Sequence, residues 1–238
     1  MKAKNGIVLL LVLAMMFSFS ACGSSTSYPY QNILDAETKW VADTDDLQAL
    51  SVFIAGDFAS DEMYTILDVM HRMDLLDLEG FFDSMYGEHD VKPGGKVQCE
   101  VRSEEEMSST DLLNYTMSPS SLTIKLSSAM LTLQSFKDQL QVMDDDQLSA
   151  VQKELEDAYG LPYDEFCDAI DELMAALQKL SDKLSGAEVS KGVKATLRSK
   201  YGDDSVGETM EFICIGDDWA PGDVFDVLSD FADTIQEL

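Results

Sequence analysis

Basic residues are scarce in this chain of 238: 16 Lys and Arg stand against 45 Asp and Glu, a formal net charge of −29. Residues 1–21 hold two lysines and no acid, so the remainder carries −31. Sequence-independent nucleic-acid binding and electrostatic docking on anionic lipid both need clustered Lys and Arg, and the balance excludes the first and argues against the second. Histidine is nearly absent. His71 stands between Met70 and Arg72 in a helical pattern, and His89 between Glu88 and Asp90 in a loop pattern, so neither has the surroundings of a general base. The motifs G-x-S-x-G, H-E-x-x-H and G-x-x-x-x-G-K are missing. Without those constellations the chain is expected not to be an enzyme. It offers no catalytic, cofactor-binding or metal residues and implies no cofactor.

Long apolar runs are also missing, with one exception. Ile7 to Phe17 is uninterrupted over 11 residues, preceded by Lys2 and Lys4 and followed by Ser20, Ala21 and Cys22. That is a secretory signal peptide over residues 1–21, too short for a membrane span of about 20 residues. Phe19-Ser20-Ala21-Cys22 resembles the lipobox of bacterial lipoproteins, with Phe19 where Leu is usual. The resemblance implies that Cys22 is lipidated by diacylglyceryl and palmitate chains and becomes the mature N-terminus. Two acyl chains suffice for stable anchoring. Gly23-Ser24-Ser25 and the absence of Asp after Cys22 resemble Gram-positive lipoproteins. The implied location is the extracytoplasmic face of the cell membrane, with residues 22–31 as lipidated Cys and polar tether.

The full chain is 45% hydrophobic, the composition of a folded protein. Asp46 caps a helix carrying Leu47, Leu50, Phe53 and Ile54, and Ser60 or Asp61 caps the next, with Met63, Ile66, Met70 and Met73 at helical spacing. A short helix near Leu78 to Met85 ends at Gly87. Val97, Cys99 and Val101 then alternate with polar residues, which predicts a half-buried strand. Ser103 and Glu106 form the pattern of a capping box for a short helix. From Ser118-Pro119, Leu122, Leu126, Ala129, Leu133, Phe136, Leu140 and Met143 recur at spacings of four and three. Asp144-Asp145-Asp146 separates that helix from one with Leu148, Val151 and Leu155, which Gly160 closes. Phe166, Ile170, Leu173, Leu177, Leu180 and Leu184 make a third stripe, stopped at Gly186. The two long stripes are expected to pack on each other and on the sheet. Val193, Ala195, Leu197 and Tyr201 restore the period of two. The segment Gly202–Gly207 reads as a loop to a second strand, Thr209–Ile215, and residues 223–237 as a closing helix. The fold class is therefore α+β: helices packed on a small antiparallel sheet, one domain over residues 32–238, with a helical insert at about 119–186.

Three cysteines remain beyond Cys22, an odd number that cannot close a disulfide framework. Cys99 and Cys214 could pair if their strands are neighbours. Three buried thiols are the simpler expectation. Asp217, Asp218 and Asp223 are the most interesting calcium candidates, since Gly216, Pro221 and Gly222 would bend Asp223 back. They do not fit the D-x-D-x-D-G loop. Lys191, Lys194, Arg198 and Lys200 form the one basic cluster, read as the polar face of a strand pairing with Glu208 and Glu211 across the hairpin.

The order of helices, a strand at 96–102, the acidic stretch Ser103–Ser108 and a closing hairpin ending in Trp219 resembles small secreted lipoproteins with a cystatin/NTF2-like domain. The resemblance covers residues 45–115 and 187–219 and implies a curved antiparallel sheet around a helix. Function is expected to be a non-catalytic binding or interaction module in the cell envelope. Its partners would be the membrane, through Cys22, and an envelope protein at the helical insert. Alternatives are a small solute-binding lipoprotein of a transporter or an extracytoplasmic hydrolase.

Overall fold

A computed structural model describes residues 28–87, 91–115, 118–201 and 204–236. The signal peptide, Cys22 and His89 lie outside the described residues. The elements, in chain order, are α1 (Gln31–Ala42), α2 (Leu47–Arg72), α3 (Leu78–Tyr86), β1 (Val97–Glu106), α4 (Ser109–Leu112) running into a 3-10 turn (Leu113–Tyr115), α5 (Ser118–Gln141), α6 (Asp145–Tyr159), α7 (Tyr163–Leu184), β2 (Val189–Tyr201), β3 (Asp204–Ile215), β4 (Asp218–Pro221) and α8 (Val224–Gln236). The strands form one antiparallel sheet in the order β1-β2-β3-β4. The molecule is α+β.

Helix α2 is the central element. It packs on α1, α7, α8 and β4. Asp46 caps it by accepting the Ala49 N–H at 2.9 Å. The break expected near residue 60 lies inside it, at Gly56 (φ 61°, ψ −160°) and Ala59. A Cβ at Gly56 would stand 2.2 Å from the Trp219 carbonyl oxygen, so only glycine lets the helix lie directly on β4. Beneath it Trp40 is fully buried among Phe53, Phe81, Phe82 and Tyr86, and its indole N–H donates to the Thr44 carbonyl at 3.2 Å. An aromatic ring set of this kind buries large apolar area while the one polar atom keeps a partner.

The helical insert follows its stripes. Leu122, Leu126, Ala129, Leu133 and Leu140 of α5 are buried, as are Phe166, Ile170, Leu173, Leu177, Leu180 and Leu184 of α7. Asp144 and Gln147 form a reciprocal capping box at α6, and Gly160 ends it at φ 71°. Helix α5 packs on α7 and α8, and α7 packs on α2, so the insert rests on helices where the sheet was expected. One hydrophobic cluster joins it to the rest, from Tyr30 to Ile235.

Four expectations are corrected. Ser103–Glu106 is strand and not a helix start, because Ser103 to Glu106 pair with Thr196 to Val193 on β2. The capping box sits five residues later, between Ser108 and Asp111. The hairpin loop is far shorter than 202–207, since β2 and β3 pair from Val189↔Ile215 to Tyr201↔Asp204. The polar tether ends before residue 31: Tyr30 is fully buried, stacks on Phe212 at 4.0 Å between centroids, and donates its hydroxyl to Glu104 at 2.7 Å. Helix α1 was not expected at all.

Candidate functional site

A cleft of about 510 Å³ lies where the 3-10 turn after α4, the start of α5, β3 and α8 meet, walled by Tyr115, Met210, Glu211, Asp223, Phe225 and Asp226. Local chemistry builds each wall. Ser108 and Asp111 turn the chain after β1 by exchanging hydrogen bonds, Ser108 N–H to Asp111 Oδ2 at 2.9 Å and Asp111 N–H to Ser108 Oγ at 3.2 Å. The 3-10 turn that follows presents Tyr115, whose hydroxyl donates to Glu211 Oε2. Lys194 of β2 stands opposite Glu211 in the register, and its ammonium bridges Glu211 at 3.2 Å and Asp111 at 2.8 Å. The Gly222 N–H donates to the Glu211 carbonyl at 2.8 Å. A Cβ there would come within 2.8 Å of the Glu211 Cβ and 3.1 Å of the Tyr115 hydroxyl, so glycine brings the start of α8 against β3.

Charges in this cleft are unevenly partnered. Hydrogen bonds from Lys194 and Ser108 lower the Asp111 carboxyl to about 2. Burial, then the bond to Glu211, raises the Tyr115 hydroxyl. Asp223 is pushed up to about 6, by burial first, with a backbone hydrogen bond opposing and the Asp226 charge adding to the rise. Among the described residues no cation pairs with Asp223 or Asp226.

A second pair of acids points inward, Glu37 fully buried and Glu208 half-buried. Glu37 of α1 is fully buried; Oε1 accepts the Tyr86 hydroxyl at 2.6 Å, and Oε2 has no partner. Burial and the Glu208 charge raise its carboxyl well above the ordinary value, against the Tyr86 bond. Glu208 of β3 faces the same region with a buried, unpartnered Oε1, and burial pushes it up to about 8. Cys99 of β1 feels both carboxylates. Burial carries its thiol up to about 12, and the Ser199 hydroxyl lies 3.5 Å from its sulfur.

Sequence reasoning missed Glu37 and misread Glu208, although both carry a signal. Ile33, Leu34, Trp40 and Val41 are buried at helical spacing, and Glu37 fills the missing place in that stripe. Glu208 keeps the same phase of β3 as the buried Met210, Phe212 and Cys214. An acid in an apolar phase marks an inward-facing carboxylate. Glu208 was expected to meet a cation across the hairpin, but its register partner is Leu197. Of the basic cluster, Lys194 alone makes the expected pair with Glu211. Lys191 sits 5.5 Å over the Trp219 ring, Arg198 donates to Ser205 at 2.8 Å, and Lys200 is exposed.

The other singled-out residues are dispersed. The Asp218 charge acts on Asp57 of α2, Asp217 is exposed in the turn, and Asp223 enters the cleft. Among the described residues no three His, Cys, Asp or Glu side chains gather where they could hold a metal ion. Cys99, Cys167 and Cys214 are free, and β2 runs between the strands of Cys99 and Cys214. His71 is exposed. On the insert, Ile124 and Leu131 of α5 are 72% and 71% exposed, while Lys125 pairs with Asp233 of α8 at 2.5 Å. No described helix is long and apolar enough to cross a membrane. No protein-family model, curated protein or solved structure matches this chain.

Proposed function

We propose that this chain is an extracytoplasmic lipoprotein, anchored through Cys22 to the bacterial cell membrane, that works as a binding module without a catalytic step. The observation that carries the reading is the order of residues 2–25: Lys2 and Lys4, the 11-residue apolar run, the lipobox-like Phe19–Cys22 and the Gly-Ser-Ser that follows. The finer fold reading, a cystatin/NTF2-like domain with a helical insertion, belongs to the same proposal. Its support is the chain order of helices, strand and closing hairpin, with α2 lying on β4 at the edge of the sheet.

The cleft favours a small ligand, which lends weight to the solute-binding form of this reading. Its volume falls within the roughly 300–1,000 Å³ of small-molecule sites. Its walls come from separate elements, the 3-10 turn, the start of α5, β3 and α8, so a ligand there would bind to fixed secondary structure.

The test is metabolic labelling with palmitate and membrane fractionation of cells carrying the full chain or its Cys22→Ala form. The expected result is label and membrane sedimentation for the full chain, both lost on substitution. Sedimentation unchanged in Cys22→Ala overturns the anchor.

A further inference from the structure

We propose that the cleft between β3 and the start of α8 binds a small organic cation, with its ammonium group held by Asp223 and Asp226 and its apolar body laid against Phe225, Met210 and Tyr115. This rests on the binding-module reading and names the class of ligand.

The first argument is charge. Three carboxylates, Glu211, Asp223 and Asp226, wall the cleft, and among the described residues no Lys or Arg does. Glu211 is already engaged by Tyr115 and Lys194, and Lys194 is shared with Asp111. Asp223 and Asp226 are left without a cation among the described residues. Two unpaired carboxylates exclude an anion from the start of α8, where the helix end would otherwise favour one. They attract a positive group, and at Asp223, which is partly buried where Asp226 is exposed, the attraction is stronger than in water.

The second argument is shape. Among the described residues no three acids gather where they could coordinate a metal ion. An organic cation fits the cleft, since Phe225, Met210 and Tyr115 line it beside the acids and offer apolar and aromatic surface. The third is the state of Asp223. Burial and the Asp226 charge together favour its proton, and a bound ammonium group opposes both causes. The titratable groups facing Asp223 are Asp226 on its own helix, Glu211 on β3 and Tyr115 on the 3-10 turn, with Lys194 one step further at Glu211. Asp226 adds negative charge at Asp223, so protons and ligand compete for one place.

The experiment is isothermal titration of the full chain in detergent with phenethylamine, choline and spermidine, and with phenylacetate as the charge-reversed control, at constant ionic strength. Expected is saturable binding of at least one amine at pH 7.5, several-fold weaker at pH 5, with no binding of phenylacetate. Asp223→Asn should weaken it about tenfold or more, as loss of a charge-assisted contact does. Asp226→Asn serves as the second variant should Asp223→Asn fail to fold. No saturable binding of any amine overturns the proposal, and so does equal binding by a folded Asp223→Asn or Asp226→Asn form. An amine-silent chain that still leaves the membrane on Cys22→Ala would lose the ligand class and keep the anchored-module reading. An amine-binding chain indifferent to Cys22→Ala would do the reverse.

Discussion

Two regions of this protein hold carboxylates without a cation, and they differ in what can reach them. At the cleft, Asp223 and Asp226 border open space of about 510 Å³. Around Glu37, the acid is fully enclosed by α1, α3 and the sheet, with one oxygen on Tyr86 and the other on nothing. A carboxylate facing a cleft can be neutralised by a ligand. One sealed in the core can be neutralised only by a proton, because burying a charge without a partner costs far more than burying the neutral acid. The cleft is therefore the place to look for function, and buried Glu37 with half-buried Glu208 the place to look for pH dependence.

The largest expected effect tests the sealed site. Tyr86→Phe leaves Glu37 without its one hydrogen bond, at a cost of about 2–3 kcal/mol for a buried acceptor of this kind. The Tyr86 bond lowers the Glu37 carboxyl, so it favours the ionised form. The loss should consequently be greater at pH 8.5 than at pH 5 in urea unfolding at the two pH values. Equal losses would mean that Glu37 does not change its charge between them.

Next comes Glu208. Its folded value of about 8 lies above the ordinary 4.5. The stability linked to it is therefore fully present below about pH 4.5 and is lost as pH rises through about 8. Glu37 is raised in the same direction. The melting temperature should thus climb as pH falls from 8.5 to 5. Glu208→Gln should recover about 2 kcal/mol at pH 8.5, a figure reduced for partial solvent contact, and almost nothing at pH 5. A gain of the same size at both pH values would remove the distinction between the two regions.

The smallest effect belongs to the cleft wall. Lys194→Met removes the bridge between Asp111 and Glu211. These groups are in contact with water, so stability at neutral pH should hardly move. The Asp111 titration, followed by carboxyl NMR, should rise from about 2 toward its ordinary 3.8, stopping short because Ser108 still donates to it. The sign is opposite to that of Glu208: a lowered carboxyl contributes stability above about pH 4 and loses it toward pH 2, so the substitution moves the acid edge upward in pH. An unmoved titration would show that Lys194 does not hold the wall.

Much of the helical architecture was legible because its signals are local. Asp46 and Asp144 cap where their sequence places them, and the stripes of α5 and α7 are buried almost residue for residue. What escaped depended on distant partners. Ser103 and Glu106 satisfy the pattern of a helix cap, but four residues of β2 lie alongside and the ladder prevails. Helix α1 escaped because an acid, Glu37, fills its buried place. The cleft escaped for a similar reason. Tyr115, Glu211 and Asp223 are separated by 96 and 12 positions, and none stands in a motif.

Sequence by itself determined the address-like N-terminus, the acidic surface, the helix caps and the alternation of period from helix to strand and back, since each depends on neighbours a few residues apart. Tertiary structure alone decided which acids face water, which face the core and which face the cleft. That choice depends on the pairing of β2 with β1 and β3 and on the approach of Gly222 to Glu211. The free energy of an unpaired carboxylate is set by the groups folding brings to it, not by those beside it in the chain.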